Sequence, residues 1–166
     1  EVVDTLLAIA ALHAEHGHVQ EVIVQNFRAH PSTPAAGAVE PEADRFLRAV
    51  ALARLILPDE VSIQAPPNLL PCPLPALVAA GINDLGGISP LTPDYINPRY
   101  PWPHLDRLAA DIAATGMTLQ ARLPVYPRFM NERWVDPALN DAIAQATRRA
   151  HTWNERLATA ELRRAS

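Results

Sequence analysis

Three apolar stretches of this chain each run out into side chains able to donate or accept hydrogen bonds. Gln25 and Asn26 close the first, Gln64 and Asn68 follow the second, and Asn83 and Asp84 sit in the third. Asp84 is the only carboxylate among them. As a catalytic group it would serve as a general acid or base, or accept a ligand's hydrogen bonds. As a structural group it would cap the turn that follows. That turn holds Gly86 and Gly87, whose lack of a Cβ frees the backbone to reverse or to approach a ligand closely. Arg28, just past the first stretch, either meets an anionic or carbonyl group of a ligand or sits exposed in a loop. A buried amide left unpaired costs about 1–3 kcal/mol, so several gathered at one rim favour a polar ligand over packing alone. The candidates are therefore Asp84 for catalysis, and Gln25, Asn26, Arg28, Gln64, Asn68, Asn83, Gly86 and Gly87 for substrate binding.

Other chemistries find little support. The run His13-Ala14-Glu15-His16-Gly17-His18 lacks the His-Glu-x-x-His order of a zinc protease helix. Histidines are also favoured near a helix C-terminus by the macrodipole, so no metal ligand is assigned. Cys72, between Pro71 and Pro73, is the one cysteine. It leaves no internal disulfide and no multi-cysteine metal site in this chain, and reads as a small, partly buried residue. All 14 basic residues are arginine, which excludes a lysine Schiff base within the chain. No serine–histidine–acid or cysteine–histidine pattern is recognisable. The net charge of −4 argues against a nucleic-acid partner. No apolar run approaches the roughly 18 residues of a membrane span, and no secretory pattern opens the chain, so a cytoplasmic setting is expected. At 166 residues and 49% hydrophobic, the chain is expected to form a single domain over 1–166.

The elements that would hold these residues alternate. Val2, Val3, Leu6, Leu7, Ile9, Ala10 and Leu12 predict a helix ending near Gly17. Glu21 to Phe27 predicts a strand and Pro41 to about Leu57 a helix, with Phe46, Leu47, Val50, Ala53 and Leu57 on its apolar side. A strand over Val61–Ala65 follows, with Ser62 and Gln64 on the face opposite Val61, Ile63 and Ala65. A short helix is expected within Leu69–Ala80, and a third strand through Ile82, Asn83 and Asp84. A proline-rich loop leads past Tyr95 and Trp102, which either cover a site or tie the loop down. A helix from Pro103 is expected to end at Gly116. A fourth strand over Thr118–Val125 and a last helix opened by Asp136-Pro137 complete the pattern. That helix carries a stripe of Leu139, Ile143, Ala146, Ala150, Trp153 and Leu157. Short strands alternating with helices predict parallel βαβ units, in which ligands bind at the C-terminal strand ends.

These segments together resemble CofG-type FO synthases. The likeness is carried by Glu21-Val22-Ile23-Val24-Gln25-Asn26-Phe27-Arg28-Ala29 with Pro31 and Thr33-Pro34, and by Val61-Ser62-Ile63-Gln64-Ala65-Pro66-Pro67-Asn68-Leu69. It continues through Ala80-Gly81-Ile82-Asn83-Asp84-Leu85-Gly86-Gly87-Ile88-Ser89-Pro90-Leu91-Thr92-Pro93-Asp94, Trp102-Pro103 and Arg122-Leu123-Pro124-Val125-Tyr126-Pro127. The resemblance implies a radical S-adenosylmethionine enzyme, of which this chain is the C-terminal portion of a (β/α) TIM-type barrel with an extra C-terminal helix. It implies S-adenosylmethionine and a four-iron four-sulfur cluster as cofactors. The substrate would be a hydroxybenzyl-dihydrouracil adduct made by a CofH partner, subunit or fused domain. Ring closure with loss of ammonia would give 7,8-didemethyl-8-hydroxy-5-deazariboflavin (FO), the chromophore of a deazaflavin cofactor.

The sequence departs from that family in one serious respect. The Cys-x-x-x-Cys-x-x-Cys loop that holds the cluster is absent from this chain, and a full barrel takes about 250 residues. With no initiator methionine before Glu1, the chain is expected to be part of a longer protein and inactive alone. A missing N-terminal barrel half would be its partner and would bring the cluster and most of the S-adenosylmethionine site. Two other readings stand beside this one. A CofH-like or futalosine-pathway radical enzyme shares Asn83-Asp84-Leu85-Gly86-Gly87 but usually continues into threonine, where this chain has Ile88. A non-catalytic small α/β binding domain is the third.

Overall fold

The computed structural model describes residues 1–89 and 91–164, with side chains described to residue 156. Pro90, within the segment from Ala80 to Asp94 that carries the resemblance, and the Leu157 side chain of the last helix's stripe lie outside the described residues. Two compact units emerge, Glu1–Leu105 and Asp106–Ser166.

The first unit is built on a three-stranded parallel sheet in the order β1-β2-β3. Its strands are short: β1 is Glu21–Ile23, β2 Ser62–Ala65 and β3 Asp84–Leu85. Register sets Glu21 opposite Ser62, Ile23 opposite Gln64, and Gln64 opposite Asp84. One face therefore carries Glu21, Ile23, Ser62, Gln64 and Asp84, and the other Val22, Ile63, Ala65 and Leu85. The predicted seven-residue first strand stops at Ile23, although the Val24 N–H still reaches the Gln64 carbonyl at 2.8 Å. Beyond it Asn26 turns inward and is buried.

Helices α1 (Val2–His16), α2 (Ala43–Ile56) and α3 (Leu74–Ala80) precede β1, β2 and β3 in turn. The central α2 packs on α1, α3 and β2. Its buried stripe of Phe46, Val50 and Ala53, with Leu57 just beyond its end, follows the predicted helical period. Glu42 holds the N-cap position without a side-chain hydrogen bond, so Pro41 lies outside the helix it was expected to open. α1 ends as predicted, on Gly17 in the left-handed conformation with its N–H on the His13 carbonyl. Its apolar pattern is wider than its buried face. Leu6 is buried, while Val2, Val3, Leu7 and Leu12 stay exposed. The buried His13 takes a place on that inner face, accepting the Val19 N–H on Nδ1 with its Nε2 at 3.3 Å from Glu60.

Arg54 laces this unit together. From α2 its guanidinium donates to the Gly81 carbonyl (3.0 Å), the Val61 carbonyl (3.4 Å) and Asn83 Oδ1 (3.1 Å). Gly81, at φ +114°, lies so close that a Cβ there would come within 2.8 Å of Arg54 Cβ.

The second unit holds α4 (Leu105–Ala113, entered across the boundary) and α5 (Asn140–Arg164), joined by a long irregular segment with short 3-10 turns at Pro127–Phe129 and Pro137–Leu139. Gly116 closes the turn after α4 at φ +80°. Asp136 accepts the Ala138 N–H and starts the last helical run at the predicted place. Along α5, Ile143, Ala146, Ala150 and Trp153 are half-buried, while Leu139 is exposed.

The fourth strand predicted over Thr118–Val125 does not form. The segment still alternates, with Leu119, Ala121 and Leu123 half-buried between exposed neighbours, until Val125 and Tyr126 are half-buried side by side. Its ladder is replaced by a side chain: Asn154 of α5 accepts the Ala121 N–H at 2.6 Å and donates to the Ala121 carbonyl at 3.1 Å. One asparagine amide thus stands where a neighbouring strand would. The observed architecture is α/β with a parallel sheet, consistent with part of a barrel.

Candidate functional site

The candidate residues separate into three groups. The first lies on the sheet face of β2 and β3. Gln64, only 4% exposed, donates to Glu21 at 3.3 Å. Its carbonyl end fills the space above Gly86, where a Cβ would lie 2.6 Å from Gln64 Cδ and nearer still to Oε1. Gly86 is therefore required for room, and only Gly87, at φ +51°, for its backbone conformation. Half-buried Asp84 opens β3 directly opposite Gln64.

The second group is gathered past the C-terminal ends of β1 and β2. Arg28 is no exposed loop arginine: its side chain is 16% exposed and fully engaged at the guanidinium tips. It binds Glu40 at 2.7 Å and the carbonyls of Leu69 and Leu70 at 2.9 Å each. It also stacks over Tyr100, 4.8 Å from the ring centroid. Glu40 in turn accepts the Ala29 N–H, and these two contacts, Arg28 first, hold its carboxyl below the usual range. Asn68 donates to both Asp94 Oδ2 and the Tyr100 carbonyl at 2.9 Å. Burial pushes the Asp94 carboxyl up, but the Asn97 N–H, the Asn68 and Asn97 amides and the Ile96 N–H together outweigh it and hold the group low. Asn26, 2% exposed, lies two residues before Arg28. Four buried polar atoms have no partner here: both side-chain atoms of Asn26, Arg28 Nε and Asn68 Oδ1.

The third group is held elsewhere. Asn83 is exposed, and its Oδ1 accepts the Ile63 N–H at 2.8 Å together with Arg54. Its amide thus extends the β2–β3 ladder. Gln25 is exposed. Tyr95 is exposed and Trp102 half-buried, while Tyr100 makes the contacts that tie the proline-rich loop to the strand ends.

Sequence reasoning missed Glu21, Glu40, Arg54, Asp94 and Tyr100 as members of this framework. Only Asp94 carried a readable signal. Asp94-Tyr95-Ile96-Asn97 has the form of an Asx turn, and Asp94 Oδ1 does accept the Ile96 and Asn97 N–H groups.

The donor set does not fit an iron–sulfur cluster. Such a cluster is held by several thiolates. The chain has Cys72 alone, whose thiol is pushed up by burial and so away from the thiolate form. Among the described residues, no three of the histidine, cysteine and acidic side chains gather as a metal site. Among the described residues, too, no helix is long and apolar enough to cross a membrane.

Comparison with known proteins finds relatives named 7,8-didemethyl-8-hydroxy-5-deazariboflavin synthase or FO synthase. The chain is 42% identical over 146 residues to the 7,8-didemethyl-8-hydroxy-5-deazariboflavin synthase of Methanoregula boonei, covering 88% of this chain and 43% of that protein. It is 44% identical over 143 residues to the FO synthase of Streptomyces coelicolor, covering 85% of this chain and 16% of that one. With the FO synthase of Mycobacterium tuberculosis it shares 49% over 139 residues, 81% of this chain and 16% of the relative. The chain thus spans less than half the length of these curated relatives. No protein-family model matches it, and no solved structure does. Over most of its length the chain is homologous to a portion of FO synthases.

Proposed function

We propose that this chain is the C-terminal, substrate-binding portion of an FO synthase of the CofG type, acting within a longer protein. The observation that carries this reading is the 41–49% identity to proteins of that name over more than four-fifths of the chain. The whole enzyme would close the third ring of FO from a hydroxybenzyl-dihydrouracil adduct, 5-amino-5-(4-hydroxybenzyl)-6-(D-ribitylimino)-dihydrouracil, releasing ammonia. A four-iron four-sulfur cluster with S-adenosylmethionine would supply the radical chemistry. The ligands of that cluster would come from outside this chain, whose single cysteine does not suit it.

This chain's own part is to bind and orient. In a parallel α/β framework the C-terminal strand ends form the ligand rim. Here that rim holds Asn26, Arg28 and Asn68. The sheet face below it offers Gln64 and Asp84. Amides that both donate and accept suit a substrate bearing ring amides, a ribityl chain and a phenol. Asp84 would accept a hydrogen bond or take a proton there. The difference in length between relatives supports either a separate or a fused CofH partner, since the same stretch is 43% of one and 16% of another.

The test is turnover by the complete protein carrying this chain, supplied with the adduct, S-adenosylmethionine and a reductant. Formation of FO, identified by mass and fluorescence, with an equivalent of ammonia supports the reading. Turnover of a futalosine derivative or of tyrosine with the uracil precursor, and none of the adduct, overturns it.

A further inference from the structure

The rim contains groups that its own fold leaves unused. Asn26 is buried with neither its Nδ2 nor its Oδ1 hydrogen-bonded, and Arg28 Nε and Asn68 Oδ1 are likewise buried and unpartnered. Arg28 holds the carbonyls of Leu69 and Leu70, next to Asn68 in the chain, so these two unpartnered groups belong to one locus. Most buried polar groups in folded proteins are paired. Two donors and two acceptors left over beside strand ends form a pattern awaiting a partner with the complementary set.

The charge of the locus restricts that partner. The Arg28 guanidinium is already matched by Glu40 at 2.7 Å, and its tips are occupied by backbone carbonyls. Among the described residues the Arg28 charge is matched by Glu40, so an added carboxylate or phosphate here would lie near Glu40 without gaining a cation. A neutral ligand is favoured. Asn26 presents one donor beside one acceptor, which matches the adjacent C=O and N–H of an amide edge. An open-chain amide is normally trans, so its C=O and N–H point apart; in a six-membered lactam or imide ring they lie on one edge.

We infer that Asn26 is a specificity residue that pairs with the lactam or imide edge of a neutral ring, with Arg28 Nε and Asn68 Oδ1 completing the subsite. This deepens the proposed function and rests on it, because the dihydrouracil ring of the adduct carries such an edge. The loop segment Asp94–Tyr100 is strapped over Asn68 and Arg28 by the Asn68 amide and the Tyr100 ring. The strap must lift for the ring to enter.

Two variants of the complete protein, Asn26→Leu and Asn26→Asp, test the inference by titration calorimetry with the adduct and by thermal unfolding without it. Leucine replaces the unpaired amide by an apolar group of similar size, a change that removes buried unpaired atoms. A ligand-pairing role predicts an unfolding midpoint equal to or above that of the wild type and affinity down about 10- to 100-fold, each tenfold being about 1.4 kcal/mol. Aspartate keeps the shape but loses the donor, and the same weakening is expected. A purely structural Asn26 predicts the reverse, a lower midpoint with unchanged affinity, and that result overturns the inference. Should the leucine variant fail to fold, the aspartate variant decides alone by the same affinity criterion. Wild-type protein that neither binds nor turns over the adduct defeats the proposed function. Wild-type turnover with unaltered affinity in the variants defeats only the role of Asn26.

Discussion

Gly86→Ala is the substitution on which the sheet-face geometry makes its sharpest demand. A methyl group at that position would meet the end of the Gln64 side chain, 2.6 Å from Cδ. Gln64 is buried and hydrogen-bonded to Glu21, so any movement away from the methyl group strains that contact. Overpacking of this kind costs about 1–3 kcal/mol. If Gln64 escapes by rotating away, its amide loses Glu21, and a buried unpaired group costs about 1–3 kcal/mol in turn. A loss of about 1–3 kcal/mol follows from either route alone, and about 2–6 kcal/mol where both contribute. Gly87→Ala is the comparison: its Cβ meets nothing within 4 Å, and only the left-handed φ is unfavourable, at about 1–2 kcal/mol. Urea unfolding of each variant, with slopes checked against wild type, measures both. The double variant Gly86→Ala with Gln64→Ala isolates the contact, because removing the glutamine makes room for the methyl group. Its loss should fall short of the sum of the single losses by at least about 1 kcal/mol. Additivity within about 0.5 kcal/mol, or a Gly86→Ala loss no larger than that of Gly87→Ala, would refute the packing of Gln64 on Gly86.

Two further predictions concern the framework around the rim. Arg54→Met keeps the apolar stem but removes the bonds to the Gly81 and Val61 carbonyls and to Asn83; a loss of about 2–3 kcal/mol is expected by urea unfolding, and a loss under about 0.5 kcal/mol would show that Arg54 laces nothing together. Glu40 and Asp94 are both more acidic folded than unfolded, so the stability they add is present above the ordinary carboxylate range near pH 4 and is lost as pH falls through their lower folded values. The unfolding midpoint should therefore drop on acidification from about pH 4 downward, less steeply in Glu40→Gln and Asp94→Asn; an unchanged slope in both variants contradicts the assigned hydrogen bonds.

Much of the fold was legible where local chemistry decided it. Gly17 ends α1 because only a left-handed residue closes that helix, and Asp136 before Pro137 starts the last helical run through its own capping oxygen. The alternation of β2 and the stripe of α2 were equally plain. The strand predicted over Thr118–Val125 failed although its alternation was real, because pairing is a long-range property. Its backbone found the Asn154 side chain, 33 residues away from Ala121, instead of a strand. The site shows the same limit. Strand-end amides could be picked out by type, but the sequence did not show that Asn83 would extend a ladder, that Arg28 would be neutralised by Glu40, or that Asn26 would stand buried and unpaired. Those outcomes depend on which loops return to the strand ends, and only the Asx turn at Asp94 announced its loop in advance.

The most direct measurement is the structure of the complete protein with the adduct bound. The substrate ring is expected past the C-terminal ends of β1 and β2, with its amide edge within hydrogen-bond distance of Asn26 and the segment Asp94–Tyr100 displaced from its strap. A substrate bound away from these strand ends, with Asn26 still unpaired beneath a closed strap, would contradict that expectation.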